Sequence, residues 1–335
     1  MQCREIESQN TEWSSCSRSE ACKGDGILEY RLSQAESDIM KNTAMEKLNL
    51  VCTSNQLIGI IGSFYYFGQV LAIILFSFLA DYVGRKFPFV VGLLVRALGL
   101  VILMLASSLS LVYIGNFVFG FADILCIQIG LIYSVELAPQ SKAVILSQTF
   151  RIIDSLFYIV AAFILLVTKD MFAIYYALFC AIGLGTFGVA CSPESPTFLL
   201  KKRKFGQLNS ALERIRKLNC APELEDSFST KGESGYSNTE KKTPSLKELC
   251  AIGRDRYNLI AVTYGWSVVI FGQQLLQYAV EVLEGSTVQN VLLLGLAGVA
   301  GNIAFVLSSN RFAPHSATKL VFVSIFVCSL LFLIF

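Results

Sequence analysis

Eight separate stretches of this sequence are each long and apolar enough to cross a bilayer, a constraint that leaves few folds open. A hydrocarbon core of about 30 Å takes roughly 20 residues of helix. Residues 57–80, 87–107, 109–135, 143–167, 171–191, 257–280, 288–307 and 317–335 meet that requirement. They are too long and too continuously apolar for barrel strands, which alternate with period two. The expected fold is an all-α membrane protein. Charge agrees: 16% of the residues are charged and 54% apolar, with a mean hydropathy of +0.59. A soluble globule carries about a quarter charged residues, so lipid must be the solvent for much of this chain.

Lys and Arg near span ends are retained in the cytoplasm, and their placement fixes the expected orientation. Ser108 alone links spans two and three, Lys169 and Asp170 cancel after span four, and Glu281 and Glu284 follow span six. The other gaps hold Arg85 and Lys86, then Lys142, then Lys201 to Lys204, then Arg311, His315 and Lys319. Those gaps are expected in the cytoplasm, with both chain ends outside. The net charge of +2 is not gathered on an aromatic-interleaved face, so no nucleic-acid partner is expected.

Four of the ten cysteines, Cys3, Cys16, Cys22 and Cys52, precede the first span on the expected exoplasmic side. An even set there suggests disulfides with three possible pairings, four unrelated thiols being the alternative. No signal peptide leads residues 1–56 across the membrane, and the last residues, Leu333-Ile334-Phe335, lie inside an apolar run. A truncated chain, short of a first helix and some last ones, is the expectation.

Four regions follow: 1–56 as an exoplasmic cysteine-containing loop, 57–192 as an N-terminal half of five helices, 193–256 as a cytoplasmic linker, and 257–335 as a partial C-terminal half of three. Within the linker, Leu208, Ala211, Leu212, Ile215 and Leu218 recur at helical spacing and predict an amphipathic helix over 205–219. Residues 223–243 are polar and expected to be disordered. Thr243-Pro244-Ser245-Leu246 reads as the start of another short surface helix. The basic charges here admit two readings, contact with anionic lipid or a plain solvated loop.

The first cytoplasmic gap reads Asp81-Tyr82-Val83-Gly84-Arg85-Lys86. A carboxylate at a helix C-terminus opposes the dipole, so Asp81 needs a cation within reach, and Gly84 permits a tight turn. This turn resembles the signature loop of the major facilitator superfamily, although Ser77 and Tyr82 stand where that family has Gly and a basic residue. Glu136-Leu137-Ala138-Pro139 ends the third span, and Pro193-Glu194-Ser195-Pro196 ends the fifth. The latter, followed by Phe198-Leu199-Leu200 and a basic run, resembles the P-E-S-P-R-W-L signature of the organic cation and anion transporters, a solute carrier family. Leu50-Val51-Cys52 matches the L-V-C before that group's second helix.

The resemblance runs from about Leu50 onward. It implies a major-facilitator-type helical bundle in which eight transmembrane helices, two to nine, are present of an expected twelve. Thr197 and Asn116 stand where that group carries Arg. Asn310-Arg311-Phe312-Ala313-Pro314-His315 aligns with Asp81–Lys86 as a degenerate second copy, as in parallel repeats, and His315 reads as a loop residue rather than a proton carrier.

Asp81, Glu136 and Glu194 all fall at cytoplasmic ends of inward-running helices, with Arg85, Lys86, Lys142 and Lys201 close in sequence. With Gly84 they are expected to form a cytoplasmic latch that breaks and reforms, independent solvated charges being the other reading. Arg96, Asp123, Arg151 and Asp154 lie roughly 12–20 Å from the cytoplasmic ends, where a charge normally faces protein or a water-filled cavity. Structural pairing and contact with solute or protons are both open. In span six, Gln273, Gln274 and Gln277 with Tyr264, Trp266 and Tyr278 form a polar, aromatic stripe. The resemblance implies that it lines a cavity where rings meet organic cations; helix packing is the alternative. Gly59, Gly62, Gly295, Gly298 and Gly301 read as close helix contacts.

No phosphate-binding loop, nucleophile elbow or metal-ligand cluster occurs in the sequence, so no enzymatic activity, cofactor or metal is expected. The implied function is transport of small organic solutes, organic ions first, by alternating access in a multi-pass protein of the plasma membrane. A non-transporting receptor or scaffold of the same fold, and a sugar or polyol transporter, are the rival readings. The expected partners are a small organic solute and the lipid bilayer.

Overall fold

Residues whose apolar runs exceed a helical turn several times over form long helices, and these dominate the computed structural model of the chain. It describes residues 2–5, 14–15, 22, 28–31, 43–48, 50–139, 142–220, 253–279 and 287–309. A short helix α1 (Ala44–Lys47) and a 3-10 turn at Leu50–Cys52 lead into α2 (Asn55–Val83). Then come α3 (Lys86–Leu105), α4 (Leu109–Ile124), α5 (Gly130–Leu137), α6 (Ala143–Thr168) and α7 (Met171–Cys191). Outside the spans follow α8 (Pro196–Lys201) and α9 (Phe205–Leu218), before α10 (Gly253–Ala279) and α11 (Thr287–Ser309).

Six helical segments among the described residues are long and apolar enough to cross a membrane. Large apolar side chains on them stay uncovered, Leu184 at 76% and Phe187 at 72% exposure among them, which only a lipid solvent tolerates. The eighth stretch (317–335), the expected disordered segment (223–243), the helix start at Thr243 and the repeat turn with His315 lie outside the described residues.

Two features depart from the sequence reading. Span three is one continuous helical span, Leu109–Leu137, but a π-turn at Leu125–Ile129 interrupts its α-type hydrogen bonding between α4 and α5. Four of its five residues are apolar, and the lone Gln128 does not mark the shift. The segment ahead of α2 holds a small antiparallel sheet, order β2-β1-β3, from β1 (Gln2–Glu5), β2 (Ser14–Ser15) and β3 (Leu28–Arg31). Strands of four residues or fewer are too short for alternation to register. Cys22 and Cys52 are joined in a disulfide; Cys16 lies outside the described residues.

Local chemistry sets the helix starts. The side chains of Ser54, Ser108 and Asp170 cap α2, α4 and α7 by accepting from backbone N–H groups, each contributing about 1 kcal/mol. Packing is tightest where glycines let backbones meet. A β-carbon on Gly68 of α2 would run into the Phe117 carbonyl oxygen, and one on Gly120 of α4 into that of Tyr65. Gly295 and Gly298 of α11 face Ser155 and Ile159 of α6. By contrast, Gly59 and Gly301 meet nothing within 4 Å. Small-residue contacts of this kind replace the hydrophobic drive that lipid removes.

Candidate functional site: a span-end charge cluster and a buried pair

Spans one, three and five end together, so their terminal charges share one region. Arg85, only 8% exposed in its side chain, lies at the centre. Its Nη2 donates to Asp81 Oδ1 at 2.9 Å and its Nη1 to the Ala80 carbonyl at 2.8 Å. Its Nε stands 3.2 Å from Glu136 Oε2, in ion-pair reach but without a hydrogen bond. Ser195, wholly buried, donates from its hydroxyl to the same Glu136 oxygen and accepts from the Phe198 N–H at 3.2 Å. It thereby caps α8, whose Pro196 occupies the first turn, where a missing N–H costs nothing.

Glu194 behaves differently from the expectation that it opposes a helix C-terminus. Its Oε1 accepts three backbone N–H groups, from Arg85 at 3.0 Å, Lys86 at 3.1 Å and Ser195 at 3.0 Å. Arg85 supplies no side-chain cap for α3, so Glu194 caps that helix from the far end of the five-span half. Its charge meets the positive end of the dipole, which is favourable. Gly84 makes the approach possible: its φ is +113°, and a β-carbon there would lie 2.7 Å from Glu194 Oε2. Lys86 reaches back to the Ala190 and Ser192 carbonyls at 2.8 and 2.7 Å. Lys142 and Lys201 make no ion pair with the cluster among the described residues.

Sequence reasoning missed several members. The Tyr133 hydroxyl donates to the Pro193 carbonyl, the Arg85 guanidinium lies 5.4 Å from the Phe198 ring, and Lys202 stands 5.3 Å over Tyr82. None of these partners is set by sequence spacing.

Deeper in the bundle, Arg96 of α3 and Asp123 of α4 form an ion pair at 2.9 Å, with Asp123 side chain 7% exposed. The Tyr65 hydroxyl donates to Asp123 at 2.8 Å and Gln69 approaches at 3.4 Å. The Phe119 ring lies 5.0 Å from the guanidinium. A polar Gln69 within an apolar run was the available signal for this group. Arg151 and Asp154 on α6 are exposed and form no ion pair among the described residues. Asp154 lies within electrostatic reach of Asp123, Arg96 and Arg151.

On α10, Tyr264 is 71% and Trp266 55% exposed, and Gln273 is exposed beside them. Gln274 accepts from the Tyr66 hydroxyl of α2, joining the two halves. The side chain of Gln277 lies outside the described residues. Among the described residues no cluster of three or more His, Cys, Asp or Glu could hold a metal.

A family model described as Major Facilitator Superfamily matches residues 38–335. Solute carrier family 22 member 7 of Homo sapiens is 24% identical over 302 residues, covering 87% of this chain and 53% of that protein. Solute carrier family 22 member 2 of Rattus norvegicus is 21% identical over 231 residues, covering 67% of this chain and 40% of that protein. The chain spans about half the length of these curated relatives or less.

Proposed function

The chain belongs to the major facilitator superfamily, and we propose that it serves transport of small organic solutes, organic ions first, across the plasma membrane by alternating access. The observation that carries this reading is the cluster around Arg85, where three span ends are held by one guanidinium and one capping carboxylate. Such a cluster is suited to two states, closed when Glu136 holds Arg85 and open when it releases it, with the exposed Asp81 a lesser partner. It is therefore suited to gating from the cytoplasmic side, and the residues of the latch are Asp81, Gly84, Arg85, Lys86, Glu136 and Glu194.

The deep charges divide by environment. Arg96 and Asp123 pair through Nη2 and serve as a strut between α3 and α4, with the buried Arg96 Nε left without a hydrogen-bond partner among the described residues. Arg151 and Asp154, exposed and without ion-pair partners among the described residues, are the charges left for solute, with Tyr264 and Gln273 on the opposite half. The similarity to solute carrier family 22 members supports organic solutes as cargo.

Uptake into proteoliposomes tests the reading. Radiolabelled organic cations and anions should accumulate, competitively with one another's congeners, and Asp154→Asn or Arg151→Gln should change which charge class enters without altering the amount reconstituted. Failure of every organic ion to enter, with correctly folded protein, overturns the proposal.

A further inference from the structure

We propose that the groove between α9 and the Ser192–Glu194 segment binds the headgroup of an anionic phospholipid of the cytoplasmic leaflet. The apolar stripe of α9 is spent inward: Leu208 and Ala211 are buried on Phe198 and Leu199 of α8. That contact fixes the helix against the membrane body and turns Gln207, Ser210, Arg214 and Lys217, which recur at helical spacing, outward. Facing this stripe across a groove of about 470 Å³ is Lys86.

The charge balance is one-sided. Residues 196–220 hold seven cations, Lys201, Lys202, Arg203, Lys204, Arg214, Arg216 and Lys217, against a single acid, Glu213. Arg216 engages Glu213 at 2.6 Å and holds its carboxyl below the ordinary glutamate range, and the exposed Lys217 stands 3.7 Å from the same oxygen, so that acid offsets these two cations and leaves Arg214 uncompensated. Arg214 lines the groove, is exposed, and has no hydrogen-bond or ion-pair partner among the described residues. Glu194 also lines it, but its Oε1 is occupied by three N–H donors, and the Lys86 ammonium keeps a donor beyond its two carbonyl contacts.

Depth singles out lipid over a soluble anion. The Lys202 ammonium stands over Tyr82, a 75% exposed ring in the last turn of α2, and tyrosines at span ends sit at headgroup level. A cluster of four to eight basic residues directly after a span attracts anionic lipid.

The protein in neutral detergent, melted with added phosphatidylserine, with phosphatidylcholine, or with inorganic phosphate, tests this. Phosphatidylserine should raise the melting temperature by several degrees, the other two should not, and 0.5 M salt should remove most of the rise. The double variant R214Q/K217Q should melt like the wild type in phosphatidylcholine and lose at least half of the phosphatidylserine increment. Equal shifts with both lipids, an equal effect of phosphate alone, or an undiminished increment in the variant would each overturn the proposal.

Discussion

Arg96 on α3 and Asp123 on α4 close an ion pair at 2.9 Å inside the spanning bundle, and Tyr65 on α2 donates to the same carboxylate. Three helices are therefore tied at one side chain. Removing one member strands a charge in a medium that cannot hydrate it, at a cost of about 3–5 kcal/mol, whereas replacing both with apolar residues of similar size is often neutral. Asp123→Asn should lower the thermal stability of the detergent-purified protein markedly, and the double change R96M/D123L should recover most of it. A D123N protein that melts normally but has lost uptake would reassign the pair to solute contact.

The cluster around Arg85 should respond unequally to its members. Asp81 is 70% exposed in its side chain, while Arg85 and Glu136 are 8% and 15% exposed. An exposed pair contributes little. Arg85→Ala and Glu136→Gln should each reduce maximal uptake at least tenfold at unchanged protein amount, and Asp81→Asn should stay within about twofold. Equal effects at all three positions would remove the case for Arg85 as the centre.

Gly120→Ala separates backbone contact from composition. Its new β-carbon meets the Tyr65 carbonyl, and overpacking of that kind costs about 1–3 kcal/mol. Gly59→Ala, which meets nothing within 4 Å, should leave the melting temperature unchanged. Thermal melts of the two variants side by side provide the comparison.

Cys22 and Cys52, 30 residues apart, constrain the segment ahead of α2. Changing Cys22 to Ser should release the Cys52 thiol to maleimide labelling and cost about 2–4 kcal/mol of stability. Labelling of Cys52 in the untreated wild-type protein at the same level would contradict the bond.

The spanning helices were legible because a bilayer imposes a length and an apolar content that sequence displays directly. Partners were not legible. Gly59 and Gly301 have spacings as suggestive as those of Gly68 and Gly120, yet only the latter touch another backbone, since the neighbouring helix decides. The π-turn at Leu125–Ile129 escaped because four of its five residues are apolar and the lone Gln128 gives no phase to read. Glu194 stood out as a charge after a span, but its role as the cap of α3 depends on a fold that brings residues more than a hundred positions apart together.

The three bonds to Glu194 come from main-chain nitrogens, and that has an evolutionary consequence. Every amino acid except proline presents the same donor, so substitutions at positions 85, 86 and 195 leave this junction standing even when they abolish the side-chain pairs around it. On the main-chain side of this junction the information is thus concentrated in a single carboxylate and in the glycine that makes room for it, the Lys86 side chain adding its bonds to the Ala190 and Ser192 carbonyls. Drift can rewrite the surrounding charges while these two positions stay fixed.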